Sequence, residues 1–291
     1  MKLLRHLEYF RRLRQIIGFK ASLIFVFMHL FNKLNPPSNG RLARILVGPY
    51  VFYFPSIDYF VVLFTEIFFK ETYYLTIIDD EINIIDCGAN IGMSLLYIKI
   101  RAPRSKVLCF EPNPDARVVL EKNIIANNWT REVKVLPYAL GLKKGVVDFF
   151  IDKKESTGSG GSLMNKAKNT SSVLKSYKVE INTLSQYIDG QIALLKIDIE
   201  GAEFDVLEEL ITTKKIDSVN EIQLEYHYIP EAQQRPVSEI LKLLESNGFK
   251  TYIKSNSAPH TIVGKDIWHT YMVFAWRNSS TINGMHASTR K

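Results

Sequence analysis

The sequence predicts an α/β fold: a mostly parallel sheet with helices on both faces. Three observations carry this. From Ile82 onward, short apolar runs alternate with longer segments at helical spacing. Four of those runs end in acidic or polar groups, which would then share one rim of the sheet. Hydrophobic residues make up 46% of the 291 residues, which suits a large core and argues against global disorder.

The chain opens with a basic segment, residues 1–44. Leu3, Leu7, Phe10, Leu13 and Ile17 recur at helical spacing, and Arg5, Glu8, Arg12 and Gln15 fall on another face, which reads as a basic amphipathic helix. Ile16 to Phe31 is mostly apolar but contains Lys20 and His29, so it is short and charged for a membrane span. The basic region is too long for a signal peptide, and no clear cleavage site follows it. Two readings stay open: the helices pack on the domain, or residues 1–33 lie on an anionic membrane face. This segment holds nine of the 37 Lys and Arg residues and one of the 30 acids. The rest of the chain, with 28 basic and 29 acidic residues, is therefore close to neutral. A nucleic-acid enzyme would more often carry a basic stripe on its folded body, so no nucleic-acid partner is expected.

Asn35–Gly40 is a loop by composition. Leu46–Phe54 then reads as a strand and Tyr59–Phe69 as a helix. The regular part runs strand Ile82–Asp86, helix Met93–Ile100, strand Lys106–Phe110, helix Pro114–Asn127 and strand Val133–Tyr138. Gly145–Ile151 and Tyr177–Ile181 read as additional strands. The polar stretch Ser156–Ser162 between them is either a surface loop or a lid. Next come strand Ile192–Ile197, helix Ala202–Leu210, strand Val219–Tyr226 and helix Val237–Asn247, with Gly248 as a helix stop. Phe249–Ile253 and Tyr271–Trp276 close the sheet as an antiparallel pair, and the tail from Asn278 is polar. The domain boundaries on this reading are 1–44, 45–277 and 278–291. Cys87 and Cys109, the only cysteines, end apolar runs and read as buried thiols, as in a reducing cytoplasm.

The strand ends carry the chemistry. They read Asp86-Cys87-Gly88, Phe110-Glu111-Pro112-Asn113, Asp198-Ile199-Glu200-Gly201 and Glu225-Tyr226-His227. Gly88 and Gly92 permit close backbone approach and positive φ, and the helix after them offers free N–H groups and a positive dipole end. The spacing D-x-G-x-x-x-G is not the dinucleotide fingerprint G-x-G-x-x-G, which argues against a nicotinamide dehydrogenase. Glu111 ends the second strand, where an acid accepts hydrogen bonds from both hydroxyls of a ribose.

These residues resemble the FkbM family of S-adenosylmethionine-dependent methyltransferases. The carriers are Asp86-Cys87-Gly88-Ala89-Asn90-Ile91-Gly92, Phe110-Glu111-Pro112-Asn113-Pro114, Ala139-Leu140-Gly141 and Leu195-Lys196-Ile197-Asp198-Ile199-Glu200-Gly201-Ala202-Glu203. Cys87 stands where the family usually has Val. The resemblance implies a Rossmann-like class I methyltransferase: a mostly parallel seven-stranded sheet with an antiparallel edge strand, here with the N-terminal helical extension. It implies S-adenosylmethionine as cofactor, bound by Asp86, Gly88, Asn90, Gly92, Glu111, Asn113, Ala139 and Asp198. Within that set the Gly88–Gly92 turn holds the methionine and ribose part, Glu111 the ribose diol, and Asn113 and Tyr138-Ala139 the adenine. It also implies O-methylation of a sugar, a glycan precursor (as in polysaccharide biosynthesis) or another small metabolite.

A hydroxyl is a poor nucleophile while protonated, so a general base helps. The candidates are Asp198 first, then Glu200 and His227; His227 is drawn in by its near-neutral reference pKa and its place at a strand end, and it also reads as a structural histidine. A divalent metal held by Asp198, Glu200, Glu225 and His227 is compatible with the donors but not demanded by their spacing. Asn35-Pro36-Pro37-Ser38 imitates the N-P-P-Y motif of amino-group methyltransferases, but at the wrong strand and without the aromatic ring. The expectation is therefore a cytoplasmic O-methyltransferase for small-molecule or glycan acceptors, with peripheral contact at the inner membrane face on the second of the two readings of residues 1–33. RNA or protein methylation, or a non-catalytic nucleoside-binding module, is the alternative.

Overall fold

The computed structural model describes residues 42–152 apart from 77 and 79, then 174–228, 235–255 and 269–277. The basic amphipathic helix, the Asn35–Gly40 loop, the Ser156–Ser162 loop and the tail from Asn278 lie outside the described residues.

The described chain opens with a hairpin, β1 (Ala43–Val47) and β2 (Tyr50–Phe54). The sequence reads one strand over Leu46–Phe54; the chain instead turns at Gly48-Pro49, where Gly48 takes φ +60° and Pro49 has no N–H to give to a ladder. Helix α1 (Ile57–Phe64) is capped by Ser56, whose Oγ accepts from the Tyr59 N–H at 3.2 Å. It runs on into a π-helical turn, Thr65–Phe69. Phe60, Phe64 and Phe68 repeat every four residues and stack face to face along this segment, with centroids 5.3 and 4.4 Å apart.

From β3 onward the elements follow the expected alternation. They are β3 (Asn83–Cys87), α2 (Met93–Arg101), β4 (Lys106–Phe110), α3 (Pro114–Ala126), β5 (Val133–Leu136), β6 (Ala139–Leu140), β7 (Gly145–Asp152) and β8 (Leu174–Asn182). Then come β9 (Ile192–Ile197), α4 (Glu203–Thr212), β10 (Val219–Tyr228), α5 (Val237–Ser246), β11 (Lys250–Ser255) and β12 (His269–Trp276). Seven strands form one sheet in the order β11-β12-β10-β9-β3-β4-β5. All run parallel except β12, which pairs antiparallel with both β10 and β11. The reversed strand thus lies second from the edge, with β11 outside it. A smaller sheet, β6-β8-β7, is built from the segment between β5 and β9.

Parallel register decides where the chemistry can gather. Cys87 pairs with Phe110 and with Ile197, and Ile197 pairs with Leu224. One residue beyond each stand Gly88, Glu111, Asp198 and Glu225, so four strand ends present these groups at one level. The sheet is covered on both faces. One core cluster holds the hairpin, α1, α2 and α3, and the other holds α4 and α5.

Asn123 on α3 and Asn127 at its C-terminal cap fasten the hairpin. Asn127 exchanges two hydrogen bonds with the Val51 backbone, both 2.8 Å. Asn123 does the same with Tyr53, at 2.6 and 3.0 Å, and also donates to the Ile91 carbonyl at 2.9 Å. Spaced four apart on a helix, these amides continue the ladder of β2 and tie it to the loop after β3. Cys87 and Cys109 are buried free thiols, as expected. Among the described residues no helix is long and apolar enough to cross a membrane.

Candidate functional site

The strand ends open onto a cleft of about 1050 Å³, counting its space open to solvent. Its floor is the turn between β3 and α2. Asp86, fully buried, meets Lys196 Nζ through Oδ1 at 2.9 Å and accepts from Ser94 Oγ through Oδ2 at 2.5 Å. Lys196 also donates to the Gly88 carbonyl at 2.9 Å. Burial opposes the lysine's charge, but the Asp86 and Asp198 carboxylates outweigh it and hold its pKa above the usual range. The buried ion pair therefore fixes the turn to β9.

Gly88 shows why glycine stands there. It has φ +84°, and a Cβ would lie 1.8 Å from the Asp198 carbonyl oxygen. The same approach lets the Asp198 N–H reach the Cys87 carbonyl at 3.0 Å. Gly88→Ala should therefore push β3 and β9 apart at their ends. We expect loss of more than ~2 kcal/mol of stability in urea melts, since the left-handed conformation alone costs a non-glycine residue ~1–2 kcal/mol.

Gly92, at φ +92°, precedes α2 and has no side chain to cap the helix, and Met93 and Ser94 of its first turn line the cleft. Asn90 sits at φ +51°, its N–H donating to Glu111 Oε2 at 2.6 Å and its amide to Tyr59 Oη at 2.5 Å. Asn90 Oδ1 is buried without a hydrogen-bond partner.

Glu111 is 6% exposed and joins two walls: besides Asn90, the Asn113 N–H donates to its Oε1 at 2.8 Å. Burial pushes its pKa up to about 7, against the pull of those two N–H bonds and of Lys196. The side-chain oxygen of Asn113 caps α3, accepting from the Asp115 and Ala116 N–H groups at 3.0 and 3.4 Å. Phe110, Tyr138, Ala139, Leu140 and Phe149 make an apolar wall beside Glu111. Tyr187 backs it, stacked on Tyr138 with centroids 6.3 Å apart.

The opposite end is acidic. Tyr73 Oη donates to Asp198 Oδ2 at 2.8 Å and lies 3.2 Å from Glu225 Oε2, while Lys196 Nζ sits 5.0 Å from its ring centroid. Burial raises the Glu225 pKa, and repulsion from Asp198 adds to it. Burial likewise raises Glu66, with Lys70 pulling it down and Asp198 pushing it up. Past β9 the chain reverses through Glu200 at φ +60° and Gly201 at φ +123°. The Gly201 N–H is held by both Glu203 oxygens, at 3.0 and 3.1 Å. Glu203, fully buried, takes the Nδ1–H of His227 at 3.1 Å, and His227 Nε2 lies 3.8 Å from Glu200 Oε2.

His227 thus departs from the near-neutral behaviour that makes histidine a candidate base. Burial alone would lower its pKa, but the bond to Glu203 and the charges of Glu200 and Asp198 carry it up to about 10. Those carboxylates favour the protonated imidazole.

Every residue named from the sequence lies on or beside the cleft: Gly88, Asn90, Glu111, Asn113, Ala139, Asp198, Glu200 and His227 line it, and Asp86 and Gly92 hold its floor. Sequence reasoning assigned no role to Lys196, Ser94, Tyr73 or Glu66. Lys196 had a signal, because a lysine inside the apolar strand IALLKI requires a buried partner. Tyr73 had none: it reaches the site from a segment without periodicity.

The Methyltransferase FkbM domain matches residues 86–251 of the chain. "Methyltransferase sdnD" of Sordaria araneosa is 29% identical over 173 residues, covering 50% of this chain and 67% of that protein. "Methyltransferase 1" of Beauveria bassiana is 28% identical over 162 residues, covering 50% of this chain and 65% of that protein. The chain thus spans about two thirds of each fungal relative. A crystal structure of an FkbM methyltransferase from Methylobacillus flagellatus superposes with TM-score 0.46 at 14% identity, covering 94% of this chain and 60% of that one.

Proposed function

The chain belongs to the FkbM methyltransferase family, and on that premise we propose that it moves the methyl group of S-adenosylmethionine to a hydroxyl of a sugar, glycan precursor or other small metabolite. The observation that carries this reading is the polarity of one cleft. A diol-accepting carboxylate, Glu111, stands beside an apolar wall at one end, and a group of carboxylates around Asp198 stands at the other.

The residues suit the cofactor. The glycine turn packs its backbone against the Asp198 carbonyl and so keeps the two strand ends together under the cleft, and Asn90 Oδ1 is an orphaned buried acceptor in the cleft wall. Asp86, Gly88, Asn90 and Gly92 shape the cradle, Glu111 accepts the ribose hydroxyls, and Asn113, Tyr138 and Ala139 flank the adenine. S-adenosylmethionine supplies an electrophilic methyl on a positive sulfonium, which the carboxylate of Asp198 favours. The protein's own work is positioning and proton transfer. The apolar wall excludes water, the acidic end orients the acceptor, and Asp198 takes the hydroxyl proton. Glu200 completes the carboxylate pair facing the acceptor, and His227 Nε2 flanks it at 3.8 Å.

Glu111 sets a pH signature. Its carboxyl ionises near neutral pH in the ligand-free protein, and the ribose diol prefers the ionised form. Binding then lowers that pKa and releases a proton below about pH 7. Affinity for S-adenosylhomocysteine should rise with pH up to about 7 and then level off. Calorimetry at pH 6 in buffers of different ionisation enthalpy should register the released proton, and affinity flat from pH 5.5 to 8 would refute the assignment.

The reaction is tested by methyl-labelled S-adenosylmethionine offered with sugars and glycan precursors, total RNA, and protein. Label in a hydroxylated small molecule supports the reading. Label in RNA or protein alone overturns it. The basic arm supports action at the inner membrane face; anionic vesicles should bind the full chain, and deletion of residues 1–33 should abolish this.

A further inference from the structure

We propose that Asp198, Glu200 and His227 form a divalent-cation site at the acceptor end of the cleft, where the cation holds the acceptor hydroxyl and an oxygen next to it. This deepens the methyl-transfer reading and rests on it for the identity of the acceptor, while the metal site stands on its own residues.

Four observations support it. One ligand atom from each of the three side chains falls within 4.8 Å of the others. That spacing lets all three share one ion at the usual bond lengths of about 2.0–2.4 Å. His227 lies on β10, and Asp198 and Glu200 lie in the turn that follows its neighbour β9, so the pairing of the two strands brings them together.

The histidine is also aimed. Its Nδ1–H goes to Glu203, which is wholly buried and is itself held by the Gly201 N–H. A carboxylate behind an imidazole is the usual way a metal-binding histidine is oriented, and it directs Nε2 toward Glu200. The distance from Nε2 to Glu200 Oε2, 3.8 Å, is too long for a hydrogen bond and fits two ligands of one ion. On binding, the imidazole gives up its outer proton to solvent and coordinates as the neutral ring.

Charge balance points the same way. Among the described residues the cleft is lined by the carboxylates of Glu66, Glu111, Asp198, Glu200 and Glu225, against Lys196, which is committed to Asp86 at 2.9 Å, and the imidazole of His227, which is held by Glu203. A cation between them would relieve their mutual repulsion without protonating them. Two carboxylates and one imidazole, with positions left open to a hydroxylated ligand, suit Mn²⁺ better than a thiolate-seeking or all-oxygen ion. Held there, a hydroxyl becomes more acidic, and its proton passes to Asp198 or Glu225 when the oxygen takes the methyl.

The test is calorimetric titration of the metal-stripped full chain with MnCl₂, checked by the loss of the free Mn²⁺ electron-spin signal. S-adenosylhomocysteine is titrated separately into the same samples. The expected result is one saturable Mn²⁺ site. Glu200→Gln should weaken it at least tenfold without abolishing nucleoside binding. Glu203→Gln, a positioning residue that touches no ion, should weaken it by roughly 10- to 100-fold. A protein that binds S-adenosylhomocysteine but shows no saturable Mn²⁺ binding, or equal Mn²⁺ affinity in both folded variants, would overturn the site. A protein that binds Mn²⁺ and not the nucleoside would leave the site standing and defeat the methyltransferase reading instead.

Discussion

Glu111→Ala should bind S-adenosylhomocysteine at least ~100-fold more weakly than the parent protein, with little loss of fold. The magnitude follows from the two hydrogen bonds a ribose diol makes to one carboxylate. Hydrogen bonds to charged groups contribute about 1.5–3 kcal/mol each, and every 1.4 kcal/mol is roughly tenfold in affinity. A second effect acts in the same direction. Glu111 receives the N–H groups of Asn90 and Asn113, so its loss frees both edges of the cradle as well as the diol. Removing a buried carboxylate whose pKa is pushed up to about 7 relieves a desolvation cost that offsets the two lost N–H bonds, so stability at neutral pH should change little. Sign and window follow from the shift. The folded state keeps the Glu111 proton that the unfolded chain loses near its ordinary value of 4.5, so the group's contribution to stability falls as pH rises from there to about 7. Calorimetry on the variant and a urea melt at pH 7 separate binding from folding. Unchanged affinity would mean that the diol is held elsewhere.

The second large effect concerns stability. Lys196→Met should cost about 3–5 kcal/mol, because it strands the fully buried Asp86 carboxylate with only Ser94 for company. The pair itself need not be stabilising relative to an apolar replacement. Asp86→Asn combined with Lys196→Met should therefore recover part of the loss, and the cycle should show strong coupling. Urea melts of the four proteins measure this. A Lys196→Met variant within ~1 kcal/mol of the parent would show that Asp86 does not depend on Lys196.

How much of this could be read beforehand varies with the physics. β4 and β9 have the predicted bounds, because a parallel strand is a short apolar run closed by a polar end. For the same reason Glu111 and Asp198 stand out in the text: each is the first acid after such a run. The hairpin at Gly48-Pro49 was hidden by a continuous stretch of β-formers on both sides of the turn. The π-helical turn at Thr65–Phe69 leaves no trace in periodicity, yet Leu63, Glu66 and Ile67 around it line the cleft. Glu203 reads as an ordinary acid in the first turn of a helix. Its bond to His227, 24 residues away, exists only after β9 and β10 pair. That contact also raises the pKa of a histidine with an ordinary reference value, which no local pattern announces. Tyr73 bridges Asp198 and Glu225 across more than a hundred residues of sequence, so its role is visible in tertiary structure alone.

The central claim is that one cleft holds the nucleoside at Glu111 and the reacting atoms at Asp198. A crystal structure with S-adenosylhomocysteine bound tests it most directly. The account predicts the ribose hydroxyls on the Glu111 carboxylate, the adenine against Tyr138 and Ala139, and the sulfur turned toward Asp198, Glu200 and His227. A ligand bound outside this cleft, or lying in it with its sulfur turned away from Asp198, would contradict the account.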